Sequence, residues 1–360
     1  MNQALLISSN EESKMVATDT STIMTDAVVR EADLAGLVLL LEHGLVSLPS
    51  SNDENQVHVF LNNQSHLGML LPVTKNEEGK KMQQIENATP SSPRLVSSWG
   101  TEHPNVQFDI LESNDAVVTV LDLGGKRLYK GFPFSPKACF GTFSSLTTLN
   151  LAGTDLPLKD VLEILALPNV VENIESLYLG GNGLRDDGAL AIASNFLKTA
   201  RKLRKLDLRY NDIQVTGMEA ICNALGSNSI VQYLYIEGNQ IGNDGAAALA
   251  NLLVQQGSNG HNSNVPLQEV FLGANRIQAE GAKALAESLF KNKHLSKLYL
   301  EGNNIGLDGA NAFSLVLEEL RGDTALKNLF ADNNNIGKEG SKRLAKALNS
   351  ATAIVDSILE

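Results

Sequence analysis

The sequence predicts an α/β solenoid, a strand–turn–helix unit repeated along most of the chain. Three observations carry the prediction. From Leu267 to Leu289 the chain holds Leu267, Val270 and Leu272, then Asn275 and Ile277, then Gly281, Ala282, Ala284, Leu285, Ala286 and Leu289. The first part alternates with period two, as a short strand does, and the second has apolar residues three and four apart, as one face of a helix does. The unit recurs: Asn182, Asn211, Asn239, Asn275, Asn303 and Asn334 stand at equivalent turns, and subtracting their numbers gives steps of 29, 28, 36, 28 and 31. The offsets are fixed. Leu184, Ile213, Ile241, Ile277, Ile305 and Ile336 follow two residues later, and Gly188, Gly217, Gly245, Gly281, Gly309 and Gly340 six residues later. Self-similarity at this period is the mark of a stacked repeat array.

These residues resemble the leucine-rich repeat in its long, ribonuclease-inhibitor-like form, with the consensus LxxLxLxxNxIxxxGxxxLAxxL. The match is made six times, over about two thirds of the chain. The resemblance implies a leucine-rich-repeat solenoid, or horseshoe, with a concave parallel β-sheet and convex helices. The amide of each Asn both donates and accepts, so it can satisfy inward-facing turn backbone; the six Asn residues are read as structural. The Gly six residues on either lets the helix start pack closely or takes a positive φ.

In chain order, residues 1–30 are rich in Ser, Thr, Asn and acid and are expected to be disordered. Residues 31–112 form an N-terminal region of no recognised fold, partly linker. Within it Ala32 to Val46 reads as an amphipathic helix (Leu34, Leu37, Val38, Leu41), ended by Gly44 and Pro49. Val57, Val59 and Leu61 pair with Leu67 to Val73 as a small hairpin, and Lys75 to Ser98 is a polar linker before the single tryptophan, Trp99. Residues 113–145 are an N-terminal cap and a degenerate first repeat, with a strand-like Val118 to Leu128 and Lys126 in the Asn position; Thr154 marks a second degenerate unit. A terminal repeat lacks one neighbour, so departures are expected there. Phe132, Phe134, Phe140 and Phe143 would plug the open end, and Pro133 and Pro136 argue against a helix. Repeats fill 146–350, with a flexible polar insertion of about eight residues between Leu253 and Leu267. Residues 351–360 are a C-terminal cap or tail.

Composition narrows the function. The 360 residues are 43% hydrophobic and carry a formal net charge of −12, which disfavours nucleic acid and suits a protein partner with a basic surface. Cys139 and Cys222 make no disulfide framework, and Cys222 falls on an apolar helix face as a small core residue. The polar N-terminus shows no secretory pattern, and the longest apolar run, Leu37 to Leu41, is too short for a membrane span. The expectation is a cytoplasmic protein, with the nucleus as the alternative, and unused sequons at Asn63 and Asn87. None of the six histidines has metal-ligand spacing, and no catalytic motif is present, so neither cofactor nor metal is expected and the chain is read as non-catalytic. Thr89, Ser92 and Ser135 precede proline and read as turns rather than phosphate acceptors.

The remaining signal lies between the core positions of the strands. Residues there face away from the core, which in this fold is the concave surface. The middle column reads Asp122, Asn150, Tyr178, Asp207, Tyr235, Phe271, Tyr299 and Phe330: five of eight are aromatic in a chain that is 5% aromatic. The next outward column is Gly180, Arg209, Glu237, Gly273, Glu301 and Asp332, and the preceding one Ser176, Lys205, Tyr233, Glu269, Lys297 and Asn328. An aromatic stripe of roughly 25 Å with a mainly acidic border fits a protein-docking face; mutual stacking of the rings is the competing account of it. The expected partner-binding residues are Tyr178, Asp207, Arg209, Tyr233, Tyr235, Glu237, Phe271, Tyr299, Glu301, Phe330 and Asp332. The expected function is a protein-binding scaffold or adaptor. The alternative is a small-GTPase activator similar to the Ran GTPase-activating protein, against which stand the small number of repeats and the lack of a long acidic tail.

Overall fold

The computed structural model describes residues 27–29, 31–43, 45–46, 56–60, 70–74, 106–110, 115–227, 230–258 and 267–350. The elements run β1 (Ala27–Val29), α1 (Glu31–Glu42), β2 (Gln56–Phe60), β3 (Leu70–Thr74), β4 (Val106–Ile110), β5 (Asp115–Asp122), α2 (Pro136–Phe140), β6 (Thr148–Asn150), α3 (Leu158–Leu165), α4 (Pro168–Asn173) and β7 (Ser176–Tyr178). Then come α5 (Arg185–Ile192), β8 (Lys205–Asp207), α6 (Val215–Ser227), β9 (Tyr233–Tyr235), α7 (Gly242–Ser258), β10 (Glu269–Phe271), α8 (Ala279–Ser288), β11 (Lys297–Tyr299), α9 (Gly306–Leu320), β12 (Asn328–Phe330) and α10 (Gly337–Ser350).

Strands β5 to β12 lie side by side in chain order, every pair parallel. Each is followed by a helical return, and α5 to α10 stack on one another in sequence order. The fold is the leucine-rich-repeat solenoid. The middle residue of each strand, such as Leu206, Leu234, Val270, Leu298 and Leu329, is fully buried, and so are the helix residues facing it. No unit could hide this surface alone, so stacking is what makes the core continuous.

The Asn ladder explains the constant turn. Asn303 donates through Nδ2 to the carbonyls of Leu272 (2.9 Å) and Leu300 (2.8 Å), and its Oδ1 accepts from the backbone N–H of Asn275 (2.9 Å) and Ile277 (3.0 Å). One side chain thus bonds its own turn and the preceding one. Asn211 and Asn239 repeat this arrangement, and Asn334 donates in the same way while its Oδ1 accepts from Ile305 N (3.4 Å). Thr154 takes part of the role: its Oγ1 donates to Leu151 O (2.8 Å) and to Asn182 Oδ1 (3.0 Å). The ladder has one gap: Asn275 Oδ1 is buried without a hydrogen-bond partner, beside the longest repeat. Of the two readings of the recurrent Gly, close packing is the one observed. None of the six has positive φ, and a Cβ on Gly309 would stand 2.8 Å from that of Ile305 and 3.0 Å from that of Ala282.

Irregular spacings are absorbed in the helices. In the 29-residue step after Asn182, α5 continues as a π-helical stretch, Ala193–Leu197, which takes up an extra residue. In the 36-residue step, the segment expected to be a flexible insertion begins as helix: Gln255 to Ser258 extend α7, and Gln256 Oε1 accepts from Leu267 N (3.1 Å). Residues 259–266 lie outside the described residues.

The N-terminal region departs most from expectation. Ala27–Val29, inside the segment expected to be disordered, is a strand parallel to both β2 and β5. The hairpin forms with Val57 opposite Val73 and Val59 opposite Leu71. Strand β4, not anticipated although Val106, Phe108 and Ile110 alternate, pairs antiparallel with β5. All twelve strands belong to one sheet. Contrary to the expectation from Pro133 and Pro136, α2 forms, because Pro136 is its first residue, where no N–H is required. Phe140 and Phe143 are fully buried, and α1 packs against α2, so the rings do not close this end alone. Residues 1–26, Leu61, Leu67, Lys75 to Ser98, Trp99, both sequons, Thr89, Ser92 and 351–360 are outside the described residues; Ser135 heads α2 and donates to Glu163 Oε1 (3.4 Å).

Candidate functional site

The strand register aligns the central column as counted from the sequence: Asp122, Asn150, Tyr178, Asp207, Tyr235, Phe271, Tyr299 and Phe330 are consecutive partners. The column divides in two. From β9 to β12 it is a continuous ring stack. Centroids are 4.4 Å apart between Tyr235 and Phe271, 4.1 Å between Phe271 and Tyr299, and 4.5 Å between Tyr299 and Phe330, with interplanar angles of 15°, 11° and 11°. The strand spacing of about 4.8 Å is close to the thickness of a stacked ring, so an in-register aromatic column stacks face to face. Ring faces are therefore covered by neighbours and the edges are turned outward. Tyr235 is buried, while Phe271, Tyr299 and Phe330 are half-buried.

From β5 to β8 the column is polar and braced by hydrogen bonds. Asn150 Nδ2 donates to Asp122 Oδ1 (2.8 Å) and Asn150 Oδ1 accepts from Ala152 N (2.9 Å). Asp207, 1% exposed, separates Tyr178 from the stack. Its Oδ2 accepts from Arg209 Nη2 (2.7 Å) and Nε (3.1 Å), and its Oδ1 from Arg209 Nε and backbone N (both 3.0 Å). The Arg209 guanidinium lies 5.4 Å from the Tyr235 centroid and covers the end of the stack. Burial alone would lower the Arg209 pKa, but the hydrogen bonds and charge of Asp207, with Glu237, raise it. Burial, then Asp207, raises the Tyr178 phenol.

The bordering columns hold more acid than available base. Lys297 pairs with Glu269 (3.0 Å), and Lys205 lies over the Tyr233 ring at 5.4 Å. Glu237 is 9% exposed, and its Oε2 has no hydrogen-bond partner; the nearest cationic atom is Arg209 Nε at 3.9 Å. Burial pushes the Glu237 carboxyl up to about 7, with Arg209 opposing and Asp207 adding to the rise. Burial likewise raises Glu301 to about 7, with a further push from Asp332. Tyr299 rises to about 12 through burial and then the charge of Glu269.

The structure thus brings together Tyr235, Phe271, Tyr299 and Phe330, with Arg209, Glu237, Glu301 and Asp332 in the adjoining column and Tyr233 in the one before it; Tyr178 stands apart. Two partly exposed cross-repeat contacts go beyond what the sequence pattern suggested. Asp186 Oδ1 accepts from Gln214 N (2.7 Å) and Gly217 N (3.0 Å), and Asn243 Oδ1 from Gln278 N (2.8 Å) and Gly281 N (3.2 Å). Each caps the helix of the next repeat; the signal was an Asp or Asn four residues after the ladder Asn. Among the described residues no cluster of three His, Cys, Asp or Glu is arranged to hold a metal, and no helix is long and apolar enough to cross a membrane.

The class this geometry defines is a parallel-stranded repeat solenoid with an aromatic, acid-bordered sheet face. The family profile described as "Leucine Rich repeat" matches residues 172–193, 199–222, 227–250 and 291–314. Similar proteins include the ribonuclease inhibitor of Sus scrofa, 26% identical over 174 residues, covering 48% of this chain and 37% of that protein. Leucine-rich repeat-containing protein 45 of Gallus gallus is 38% identical over 79 residues, covering 21% of this chain and 12% of that protein. RAN GTPase-activating protein 2 of Arabidopsis thaliana is 28% identical over 106 residues, covering 29% and 19%. The chain is a leucine-rich repeat protein of the ribonuclease-inhibitor-like type, and its alignments span between 12% and 37% of these relatives' lengths.

Proposed function

We propose that this chain is a non-catalytic protein-binding scaffold or adaptor that docks a protein with a basic surface on the sheet face from β9 to β12. One observation carries the reading: four stacked rings form a rigid ridge beside Glu237 and Glu301, while Arg209 and Lys297 are already committed to Asp207 and Glu269. A stacked ring has lost its rotamer freedom before any partner arrives, so the ridge is preorganised and little ordering entropy is lost on docking. Stacking and docking are compatible roles: the faces serve the sheet, and the edges and tyrosine hydroxyls serve the partner. Two relatives support the reading by name, one an inhibitor of ribonuclease and one an activator of the Ran GTPase.

The test is affinity capture with the wild type and a Tyr235→Ala, Phe271→Ala, Tyr299→Ala triple variant, its folding checked by circular dichroism. Loss of specific partners from the folded variant supports the face; equal capture by both removes it. The alternative, a small-GTPase activator, is favoured by the similarity to RAN GTPase-activating protein 2. Acceleration of GTP hydrolysis by catalytic amounts of the chain would establish it against the pure scaffold.

A further inference from the structure

Gly273 interrupts the outward column between Glu237 and Glu301. Its backbone is buried, and the Glu237 side chain leans over it: a Cβ at Gly273 would lie 3.5 Å from Glu237 Cγ and 3.2 Å from the Glu301 carbonyl oxygen. The result is a notch with a glycine floor and a carboxylate on either side, two strand spacings or roughly 10 Å apart at the backbone. Three features set it apart from an ordinary acidic patch. Glu237 is about nine-tenths buried, and its Oε2 has no hydrogen bond. Arg209 spends its close contacts on Asp207 and stands 3.9 Å from Glu237. The ring stack beside the notch offers edges rather than faces, so the sheet cannot hold a cation there by cation–π contact alone.

Deepening the scaffold reading and resting on it, we propose that the notch over Gly273 receives one basic side chain, Arg or Lys, of the docked partner, clamped between Glu237 and Glu301. The carboxylate of Glu237 turns easily about its last torsion, so the oxygen without a partner can be presented to the guest. The alkyl stem of the guest lies along the edges of Phe271 and Tyr299. A guest charge adds the close, hydrogen-bonded counter-ion that Arg209, 3.9 Å from Glu237 and bonded to Asp207, does not supply, and the raised carboxyl pKa values of both acids fit that shortfall. Burying an unpaired carboxylate is unfavourable, and a hydrogen-bonded cation removes the penalty.

The test uses the full chain and a fluorescein-labelled hexa-arginine peptide, with binding followed by anisotropy at about 0.15 M salt, where loose surface attraction is screened. Four proteins are compared: wild type, Glu237→Gln/Glu301→Gln, the ring triple variant, and Glu318→Gln/Glu319→Gln, which removes two exposed charges from α9. The isosteric Gln pair retains the notch shape and is expected to weaken binding about tenfold or more, while the α9 pair changes it by less than about twofold. Gly273→Lys, which supplies the cation in cis, is expected to block the peptide as well. Equal loss from the notch and α9 pairs, or no binding by the wild type, overturns the notch. Loss in the ring variant without loss in the notch pair overturns the notch and leaves the scaffold face standing; binding unaffected by either removes both.

Discussion

The two halves of the sheet face solve the same packing problem differently. From β5 to β8 the central column is Asp122, Asn150, Tyr178 and Asp207, held by hydrogen bonds and an ion pair; from β9 to β12 it is four rings held face to face. Both columns are in register on identical backbone. The difference is how each side chain is satisfied. The polar half turns its groups toward its own sheet, whereas the aromatic half covers its faces and presents edges beside Glu237, whose Oε2 has no hydrogen bond, and Glu301. The proposed interaction surface lies on the second half, where the rigid ring stack meets a mainly acidic border.

The largest expected effect sharpens the boundary between the halves. Asp207→Ala leaves Arg209 buried without its partner and should lower stability by about 3–5 kcal/mol, read from urea unfolding. A loss below about 1 kcal/mol would mean that solvent reaches Arg209 and that the boundary is not sealed. Removing one ladder Asn tests the frame common to both halves. Asn303→Leu strips four hydrogen bonds from buried turns and should lose about 2–4 kcal/mol, whereas Asn275→Leu, whose Oδ1 has no partner, should lose less. Phe271→Ala removes a ring stacked on both faces and should lose about 2–3 kcal/mol, read from the same unfolding curves.

Titration gives a subtler comparison. The Glu237 and Glu301 carboxyls are raised in the fold by burial to about 7 from an ordinary value of 4.5. The native state therefore holds more protons than the unfolded state between those values, and stability falls as pH rises from about 4.5 to about 7, then levels off. Glu237→Gln/Glu301→Gln should be more stable than wild type at pH 8 and gain nothing at pH 4; thermal melts at both values decide it, and an equal gain at both would contradict the assignment. The smallest effect is at the rim. Lys297→Ala breaks a partly exposed pair with Glu269 and should lose about 0.5 kcal/mol.

Much of this was legible in the sequence because repeats are local. Each unit is set by residues a few positions apart, so the Asn ladder, the buried Leu positions and the column register could all be counted. What the rings do in that column could not be counted, since whether Phe271 shows a face or an edge depends on χ angles fixed by its neighbours on β9 and β11. The Asp207–Arg209 pair was also missed, although residues two apart on a strand share a face. Strands β1 and β4 escaped for another reason. Both are short and no repeat announces them; the partners of β1 are distant in sequence, whereas β4 forms a hairpin with the next strand, β5. Pro133 and Pro136 misled because a proline forbids a helix interior, not its first turn.

The central claim is that partners meet the ring edges from β9 to β12. The most direct measurement is photo-crosslinking with benzoyl-phenylalanine in place of Tyr299 on β11 and, separately, in place of Leu315, which is 67% exposed on α9. The account predicts a discrete crosslinked partner band from position 299 and none from 315. Crosslinking from 315 alone would put the partner on the helical side and contradict it.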